Sequence, residues 1–229
     1  ANKKYRSIFD LTASFHQIKL HPDSKFLTSF WHPTETTKTY QYRRLPQGFR
    51  NSSVSMINAM HTAFGDLPFI YMYIDDIVIA SISYSEHLTH LEIFFKRLIQ
   101  VNLKINPSKA KLCASSIKFL GFDITNNKVT IPKAKAHAIT QIRPPTNRKE
   151  VMQTVGNLNY YRKFVPGYAR VMEPIMSLLR KEVKFEWGPN QQRAFDTIKA
   201  KMESDIATYL PTEQGLFIIM TDYSHTHYS

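Results

Sequence analysis

The sequence predicts an α+β fold, an antiparallel sheet packed with helices, and three observations point to this class. β-Branched and aromatic residues flank Asp75-Asp76 in the runs 69–72 and 77–80, which predicts an apolar strand pair joined by a turn. The segment 86–101 has apolar residues at helical spacing. With 229 residues, of which 43% are hydrophobic, the chain is long enough for a substantial core and one to three subdomains.

The first part of the chain predicts short strands followed by a helix. The apolar run that begins at Ile8 is a strand that ends at a single acid, Asp10. Two further short strands are predicted around 26–31 and 39–43, with a polar loop between them. The turn-rich segment 45–52 then leads into a helix through 56–60.

The predicted helix over 86–101 begins after Ser85, a residue type that caps helix N-termini. Its predicted apolar stripe consists of Leu88, Leu91, Phe94, Phe95, Leu98 and Ile99.

The second half predicts mainly helices. Pro132 and the pair 144–145 bracket a short helix. Asn147 and Glu150 form a capping box that starts a longer helix, with Val151, Val155 and Leu158 on one face. A further helix is predicted around 191–202, followed by a strand over 216–222.

Two adjacent acids define the candidate site. Asp75 and Asp76 repel each other unless a cation lies between them, and hard divalent metal ions bind carboxylate oxygens. Taken alone, this pair also fits a solvent-exposed hairpin turn, and Asp10 alone also fits a helix N-cap. Both alternatives lose ground when the motifs are considered together.

The order of three motifs resembles that of reverse transcriptases. A strand-end acid at Asp10, the Gln47-Gly48 turn before a helix and the Tyr-Ile-Asp-Asp hairpin at 73–76 follow one another as in the enzymes of gypsy-type LTR retrotransposons and retroviruses, including the spumavirus-like branch. The resemblance runs from position 5 to position 222 and implies a fragment of a Pol polyprotein. It also implies a right-hand polymerase palm with partial fingers, a helical thumb and the start of a connection or RNase H-like region.

The resemblance assigns domain limits along the chain. Residues 1–127 would be the palm with a remnant fingers hairpin at about 20–50, 128–185 the thumb, and 186–229 the connection with a truncated first strand of an RNase H-like domain. The family carries an N-terminal fingers segment whose lysine and arginine hold the triphosphate. We expect that segment to be absent, because only nine residues precede Asp10. We also expect no RNase H activity, since the chain ends seven residues after Asp222, which would be the first RNase H metal ligand.

The resemblance implies nucleotide addition to a primer 3′-hydroxyl by a two-metal mechanism, with two Mg²⁺ ions and Mn²⁺ as an alternative. Asp10 and Asp75 would be the principal ligands, with Asp76 close by and the backbone carbonyl of Leu11 adding an oxygen.

Four further residues match the family's nucleotide-binding positions. Phe15 would exclude the 2′-hydroxyl of a ribonucleotide, although a core phenylalanine is the alternative in a chain with 15 of them. Gln47 would contact the incoming nucleotide, Gly48 would allow close backbone approach, and Tyr73 would lie beside the primer end. The family usually has Asn-Ser-Pro where this chain has 51-Asn-Ser-Ser-53.

Downstream motifs match the pyrophosphate lysine and the primer grip. Lys109 would protonate the leaving group, with Lys111 as the second candidate and a solvated lysine as the plain alternative. The hairpin that grips the primer backbone would consist of Phe119, Leu120, Gly121 and Phe122, which also fit an ordinary buried strand.

The predicted thumb carries the family's Gly-x-x-Asn-Tyr-Tyr-Arg-x-Phe pattern. The matching residues are Gly156, Asn159, Tyr160, Tyr161, Arg162 and Phe164. Basic residues next to aromatic ones suit a surface that follows a nucleic-acid backbone, so Arg162 and Lys163 are predicted phosphate contacts. A solvated helix face is the alternative for either residue.

Composition agrees with a polyanionic partner. The net charge of +12 and the pI of about 9.7 favour an RNA or DNA template with its primer. The resemblance adds deoxynucleoside triphosphates and the remaining Pol domains (RNase H, integrase, protease) as partners. No apolar run approaches the length of a membrane span, and no signal peptide opens the chain. A single cysteine, Cys113, excludes an intramolecular disulfide.

We therefore predict an intracellular protein that is not secreted, located in the cytoplasm, a virus-like particle or the nucleus. A zinc site at His87 and His90 is not expected, because no second ligand pair follows. Two functions remain open. The first is an RNA-directed DNA polymerase, and the second is a catalytically weak or inactive nucleic-acid-binding module derived from such an element.

Overall fold

The computed structural model describes residues 3–35, 37–125 and 128–203 and the short segments 207–209, 223–224 and 227–228. The chain divides into two compact units: Lys3–Asn126, and Asn127–Ser229 with the first two residues. Each unit buries apolar side chains of its own.

The first unit combines an antiparallel sheet with two helices. Its strands are β1 (Tyr5–Asp10), β2 (Phe30–Trp31), β3 (Thr39–Tyr40), β4 (Ile70–Tyr73), β5 (Asp76–Ser81), β6 (Lys111–Ala114), β7 (Ser116–Phe119) and β8 (Phe122–Thr125). Its α-helices are α1 (Ser52–Phe64) and α2 (Tyr84–Val101), and 3₁₀ helices cover Ser14–Gln17, Pro22–Thr28 and Pro107–Lys109. The main sheet has the strand order β4-β5-β1-β6 with antiparallel neighbours. The predicted α+β class and the predicted hairpin at 69–80 are confirmed.

The centre of this sheet is the pairing of β1 with β5. It extends from Tyr5 opposite Ser81 to Asp10 opposite Asp76. Because alternate side chains of a strand point to opposite faces, Asp10 and Asp76 lie on one face and Phe9 lies on the other.

The Phe9 face packs against α1 and α2 to form the core of the first unit. Its buried members are Phe9, Leu11, Met56, Met60, Ala63, Phe64, Phe69, Ile70, Ile77, Ile79, Leu91, Phe94 and Leu98. The core thus covers one face of the sheet, while the two acids lie on the other.

The start of α2 differs from the prediction. Ser83, not Ser85, is the N-cap: its Oγ accepts the N–H of Glu86 at 3.1 Å. The carboxylate of Glu86 in turn accepts the N–H of Ser83 at 3.3 Å, which completes a capping box. A serine at 83 and a glutamate at 86 have the spacing of this motif, whereas Ser85 has no such partner three residues later.

The buried stripe of α2 is narrower than predicted. Leu91, Phe94 and Leu98 are buried as expected, but Leu88, Phe95 and Ile99 are exposed, the last by 81%. In the first turn the buried side chain is His87 instead. One helix face of limited width meets the sheet, so apolar residues at its edges remain in solvent.

The predicted strands 26–31 and 39–43 are shorter than expected. Only β2 and β3 form, with two residues each, and Phe30 lies opposite Tyr40. The segment 22–28 is a 3₁₀ helix that begins at Pro22, where the fixed φ of proline suits a first helical position.

The second unit is mainly helical. Its helices are α3 (Lys133–Thr140), α4 (Arg148–Asn159), α5 (Tyr168–Met176) and α6 (Pro189–Glu203), with 3₁₀ helices over Arg162–Phe164 and Ser177–Leu179. Its short strands are β9 (Lys128–Thr130), β10 (Ala207–Tyr209), β11 (Tyr223–Ser224) and β12 (His227–Tyr228), paired β9 with β10 and β11 with β12. The helices predicted at 133–143, 148 onwards and 191–202 are confirmed.

The cap of α4 follows the prediction in part. Asn147 Oδ1 accepts the N–H of Glu150 at 3.0 Å, and Val151, Val155 and Leu158 are all buried. The Glu150 carboxylate, however, accepts the N–H of Thr146 at 2.8 Å rather than that of Asn147. The predicted strand 216–222, including Asp222, lies outside the described residues. Among the residues that are described, no helix is both long enough and apolar enough to cross a membrane.

Candidate active site

The two adjacent acids lie at a strained two-residue turn. Tyr73 and Asp76 are cross-strand partners, so Ile74 and Asp75 alone connect β4 to β5. Ile74 has φ 55°, a left-handed conformation that a β-branched residue rarely adopts and that costs roughly 1–3 kcal/mol. The surrounding strand pair holds this turn in place, and such strain is common at functional sites.

Asp10 and Asp76 come together because antiparallel β1 ends where β5 begins. They are direct partners in the register, on the face of the sheet opposite Phe9. Burial raises the pKa of Asp76, and the nearby charges of Asp75 and Asp10 raise it further, whereas the charge of Lys109 lowers it. The three acids therefore concentrate negative charge at one place.

Asp75 has a hydrogen-bond partner that the sequence did not suggest. The hydroxyl of Ser14 donates to Asp75 Oδ2 at 3.2 Å. Ser14 is buried and begins the 3₁₀ helix that follows Asp10 in the chain. Its position four residues after Asp10 was the only signal available, because a serine of this kind is common in any turn.

Lys109 lies in the site, next to Asp10. Its Nζ is 3.0 Å from Asp10 Oδ2, and the Asp10 carbonyl accepts the N–H of Asn106 at 2.8 Å. The Lys109 side chain is 63% exposed, so solvent screens much of this attraction. Of the two lysines considered for the leaving group, Lys109 is the one ion-paired with the acids.

A cavity of about 200 Å³ opens beside these residues. Its lining consists of Ile8, Phe9, Asp10, Asp76, Lys109, Lys111 and Lys118. Two acids and three lysines around one cavity suit a metal ion accompanied by phosphate oxygens.

The carboxylates are not already arranged around a metal position. Within the described part of the chain, no group of three or more His, Cys, Asp or Glu side chains is placed to hold an ion. Asp10 pairs with Lys109 and Asp75 with Ser14 instead. The donor set nevertheless fits hard divalent cations, since it consists of carboxylates whose mutual repulsion an ion would relieve.

The predicted nucleotide-binding residues occupy different environments. Leu11 is buried, and Phe15 is partly buried and packs against the core of the first unit. Gln47 and Gly48 lie exposed in the turn before α1, and Tyr73 is exposed. Gly48 has φ 90°, which a residue with a Cβ would adopt only with strain.

The predicted primer-grip segment is a hairpin. Phe119 and Phe122 are cross-strand partners of β7 and β8, and Leu120 and Gly121 form the turn with φ 50° and 73°. Positive φ at both central residues is typical of a type I′ turn. The hairpin prediction is confirmed, and the primer role of these residues stays a prediction.

Arg162 and Lys163 lie in the second unit, in the 3₁₀ helix after α4, and both are exposed. Partial desolvation lowers the pKa of Lys163, whose Nζ lies 5.2 Å from the centre of the Phe164 ring. Close by in the chain, the rings of Tyr160 and Tyr161 meet edge to face at 5.0 Å. Arg162 and Lys163 thus lie exposed next to the exposed ring of Tyr160, and their contact with phosphates stays a prediction.

Comparison with known proteins identifies the family. The model of the family described as reverse transcriptase (RNA-dependent DNA polymerase) matches residues 1–124. The chain belongs to the reverse transcriptase family.

Its relatives are polyproteins of transposons and retroviruses. It is 32% identical over 227 residues to the retrovirus-related Pol polyprotein from transposon 297 of Drosophila melanogaster, covering 97% of this chain and 21% of that protein. It is 29% identical over 225 residues to the Gag-Pol polyprotein of woolly monkey sarcoma virus, covering 94% of this chain and 13% of the other. The chain thus spans about a fifth of these relatives or less.

Solved structures of foamy viral protease-reverse transcriptase have the same fold. The complex of its dRH form with double-stranded DNA is 29% identical, with a TM-score of 0.82 over 92% of this chain and 37% of that one. The complex with an RNA/DNA hybrid is 29% identical, with a TM-score of 0.76 over 89% of this chain and 28% of that one. The predicted family, including its spumavirus-like branch, and the polymerase-like fold are confirmed.

Proposed function

We propose that this chain carries the catalytic acids of an RNA-directed DNA polymerase, which adds deoxynucleotides to a primer 3′-hydroxyl by a two-metal mechanism. One observation supports this proposal above the others. Asp10 and Asp76 are cross-strand partners at the edge where the strained turn presents Asp75, in a chain of the reverse transcriptase family.

The acids would hold two divalent ions, Mg²⁺ or alternatively Mn²⁺. When bound, such ions lower the barrier by activating the attacking hydroxyl and stabilising the leaving oxygen. The paired strands fix Asp10 relative to Asp76, and the Ser14 hydroxyl orients Asp75. The carbonyl of Leu11 would add an oxygen ligand.

Lys109 serves the same site in two ways. Its ammonium offsets part of the negative charge of Asp10, at 3.0 Å. Lys109 also lines the cavity, and we assign it the role of donating a proton to the pyrophosphate leaving group.

Residues around the acids would position the incoming nucleotide and the primer. Phe15 would exclude the 2′-hydroxyl, Gln47 and Gly48 would contact the incoming nucleotide, and Tyr73 would support the primer end. The 119–122 hairpin would hold the primer backbone.

The proposed nucleic-acid partner is an RNA or DNA template with its primer. The charge of +12 and the exposed Arg162 and Lys163 support this partner, and the foamy viral relatives are in complex with double-stranded DNA and RNA/DNA hybrid. Deoxynucleoside triphosphates and the other Pol domains complete the proposal, with action inside the cell or a virus-like particle. Residues 1–127 would act as palm with a remnant fingers hairpin, 128–185 as thumb and 186–229 as connection.

A primer-extension assay on RNA and DNA templates tests this function. The Asp75→Asn variant should lose nucleotide addition by about a thousandfold or more, because it removes a metal ligand, and should bind the duplex as the wild type does. Asp196→Asn, an acid of the second unit, is the matched control and should extend normally. Equal extension by wild type and Asp75→Asn would overturn the proposal.

One observation favours a second candidate, a nucleic-acid-binding module without polymerase activity. The Asp10 carboxylate is paired with the ammonium of Lys109 at 3.0 Å, and Asp75 with the hydroxyl of Ser14 at 3.2 Å. Under this alternative, the wild type would bind a primer–template duplex but add no nucleotide to it.

A further inference from the structure

Three buried side chains form a hydrogen-bonded cluster on the core side of β1 and β5, and this cluster takes no part in the proposed chemistry. His87 of α2, Ser7 of β1 and Ser81 of β5 are each 0% exposed. His87 Nε2 is 2.7 Å from Ser7 Oγ, and His87 Nδ1 is 2.8 Å from Ser81 Oγ. One imidazole therefore connects the two strands whose far ends carry Asp10 and Asp76.

Each of the two serine hydroxyls has a second hydrogen-bond partner besides His87. Ser7 Oγ accepts the N–H of Cys113 of β6 at 3.0 Å. Ser81 Oγ is also 2.8 Å from His90 Nδ1, and His90 Nε2 faces Glu86 at 3.9 Å.

These partners select one arrangement of protons. Glu86 favours a proton on His90 Nε2, so His90 Nδ1 accepts the hydroxyl proton of Ser81. Ser81 Oγ then accepts the N–H at His87 Nδ1. His87 Nε2 accepts the hydroxyl proton of Ser7, which completes the chain of hydrogen bonds.

This arrangement requires a neutral His87. Burial lowers the pKa of His87, a positive charge on His90 would lower it further, and the charge of Glu86 opposes both effects. Neutral imidazole has one donor and one acceptor nitrogen. This matches the two serine hydroxyls, because Ser81 accepts a hydrogen bond from the ring and Ser7 donates one to it.

The core alone does not specify how β1 pairs with β5. No tight turn joins these strands, because α1 and β4 lie between them in the chain. A shift of two residues would keep Phe9, Ile77 and Ile79 on the core face, yet it would move Asp10 away from Asp76 by about 7 Å. Ser7 and Ser81 differ from these apolar residues, since a shift would leave a buried hydroxyl or ring nitrogen without a partner.

We propose that His87 is a positioning residue that fixes the register of β1 against β5 and thereby places Asp10 beside Asp76. The inference rests on the proposed function where it treats those two acids as metal ligands. Its structural part, the register, stands on the hydrogen bonds of His87.

Two disulfide probes measure the register directly. In a Cys113→Ser background, Ile8→Cys with Val78→Cys joins direct partners on the face opposite His87, whereas Ile8→Cys with Ala80→Cys joins residues that meet only after a two-residue shift. The first pair should form the disulfide in otherwise unchanged protein. Adding His87→Phe should lower the yield of the first disulfide and allow the second disulfide to form. Adding His90→Phe, which removes no contact to β1, should leave the yields of both disulfides unchanged.

Mn²⁺ affinity measures the consequence for the acids. His87→Phe should weaken Mn²⁺ binding at least about tenfold, the scale seen when residues that orient metal ligands are removed. His90→Phe should stay within about twofold, well below that scale. Far-ultraviolet circular dichroism would establish that each variant is folded at the temperature used.

If His87→Phe does not fold, Ser7→Ala tests the same role of His87 in the register. This variant removes the hydrogen bond between His87 and β1 and adds no bulk. It should reproduce both effects. Unchanged disulfides and unchanged Mn²⁺ affinity in a folded His87→Phe or Ser7→Ala protein would overturn the inference. Absence of Mn²⁺ binding in the wild type would instead overturn the proposed function, and the disulfide pairs would still decide the register.

Discussion

At the scale of single residues, the site depends on contacts between distant parts of the sequence. Asp10 meets Lys109, Asp75 meets Ser14, and Asp76 lies opposite Asp10. The three acids were predicted because the motifs that carry them follow one another in the order found in reverse transcriptases. Ser14 was not predicted, since a hydroxyl partner 61 positions away leaves no local pattern.

His87 illustrates the same limit. The sequence placed it beside His90 on a helix, but nothing local indicated that serines of two strands would share its ring. A buried polar group is specified by the tertiary structure around it, whereas an apolar stripe is specified by spacing along the chain.

Phe15 provides a test of substrate choice at this scale. Phe15→Val should admit ribonucleotides, because a smaller side chain leaves room for the 2′-oxygen. The partly buried ring also packs on the core, so we expect a loss of about 1–3 kcal/mol in the free energy of unfolding.

The measurement is the ratio of ribonucleotide to deoxyribonucleotide incorporation, with folding checked at the assay temperature. An unchanged ratio in a folded Phe15→Val protein would make Phe15 an ordinary core residue.

At the scale of elements, the predictions succeeded where periodicity and caps act locally. The hairpin around the two acids and helices α1, α3, α4 and α6 were all predicted. The segment 20–44 was predicted less well: its Phe30–Tyr40 hairpin is short and exposed, so little burial reinforces strand propensity there.

The cap of α2 gives an element-scale prediction with a matched control. Ser83→Ala should lower the free energy of unfolding by about 1 kcal/mol, because it leaves the N–H of Glu86 without its cap. Ser85→Ala makes the same chemical change inside the first turn and should cost less than about 0.5 kcal/mol. Urea denaturation of both variants measures the difference. Equal losses would contradict Ser83 as the cap.

At the scale of the whole molecule, two compact units divide the proposed work. The first holds the acids, and the second presents the basic and aromatic surface at 160–163. Net charge predicted a polyanionic partner from composition alone, but composition does not say which side chains meet phosphates.

Salt dependence tests that division. Phosphate contacts release counterions, so binding of a primer–template duplex should weaken steeply as salt rises. Arg162→Ala with Lys163→Ala should weaken binding and reduce the salt slope by about 2, one for each contact. Lys96→Ala with Lys104→Ala removes the same charge from the first unit and should change the slope less. Equal slopes for the two double variants would contradict a specific role for Arg162 and Lys163.

The central claim is that Asp10, Asp75 and Asp76 form a site for divalent metal ions, and Mn²⁺ titration followed by electron paramagnetic resonance tests it most directly. The wild-type chain should bind Mn²⁺ with an affinity that Asp75→Asn reduces by about tenfold or more, because one anionic ligand is lost. Asp196→Asn, with the same change of charge in the second unit, should bind as the wild type does. Equal Mn²⁺ binding by the wild type and Asp75→Asn would contradict the account.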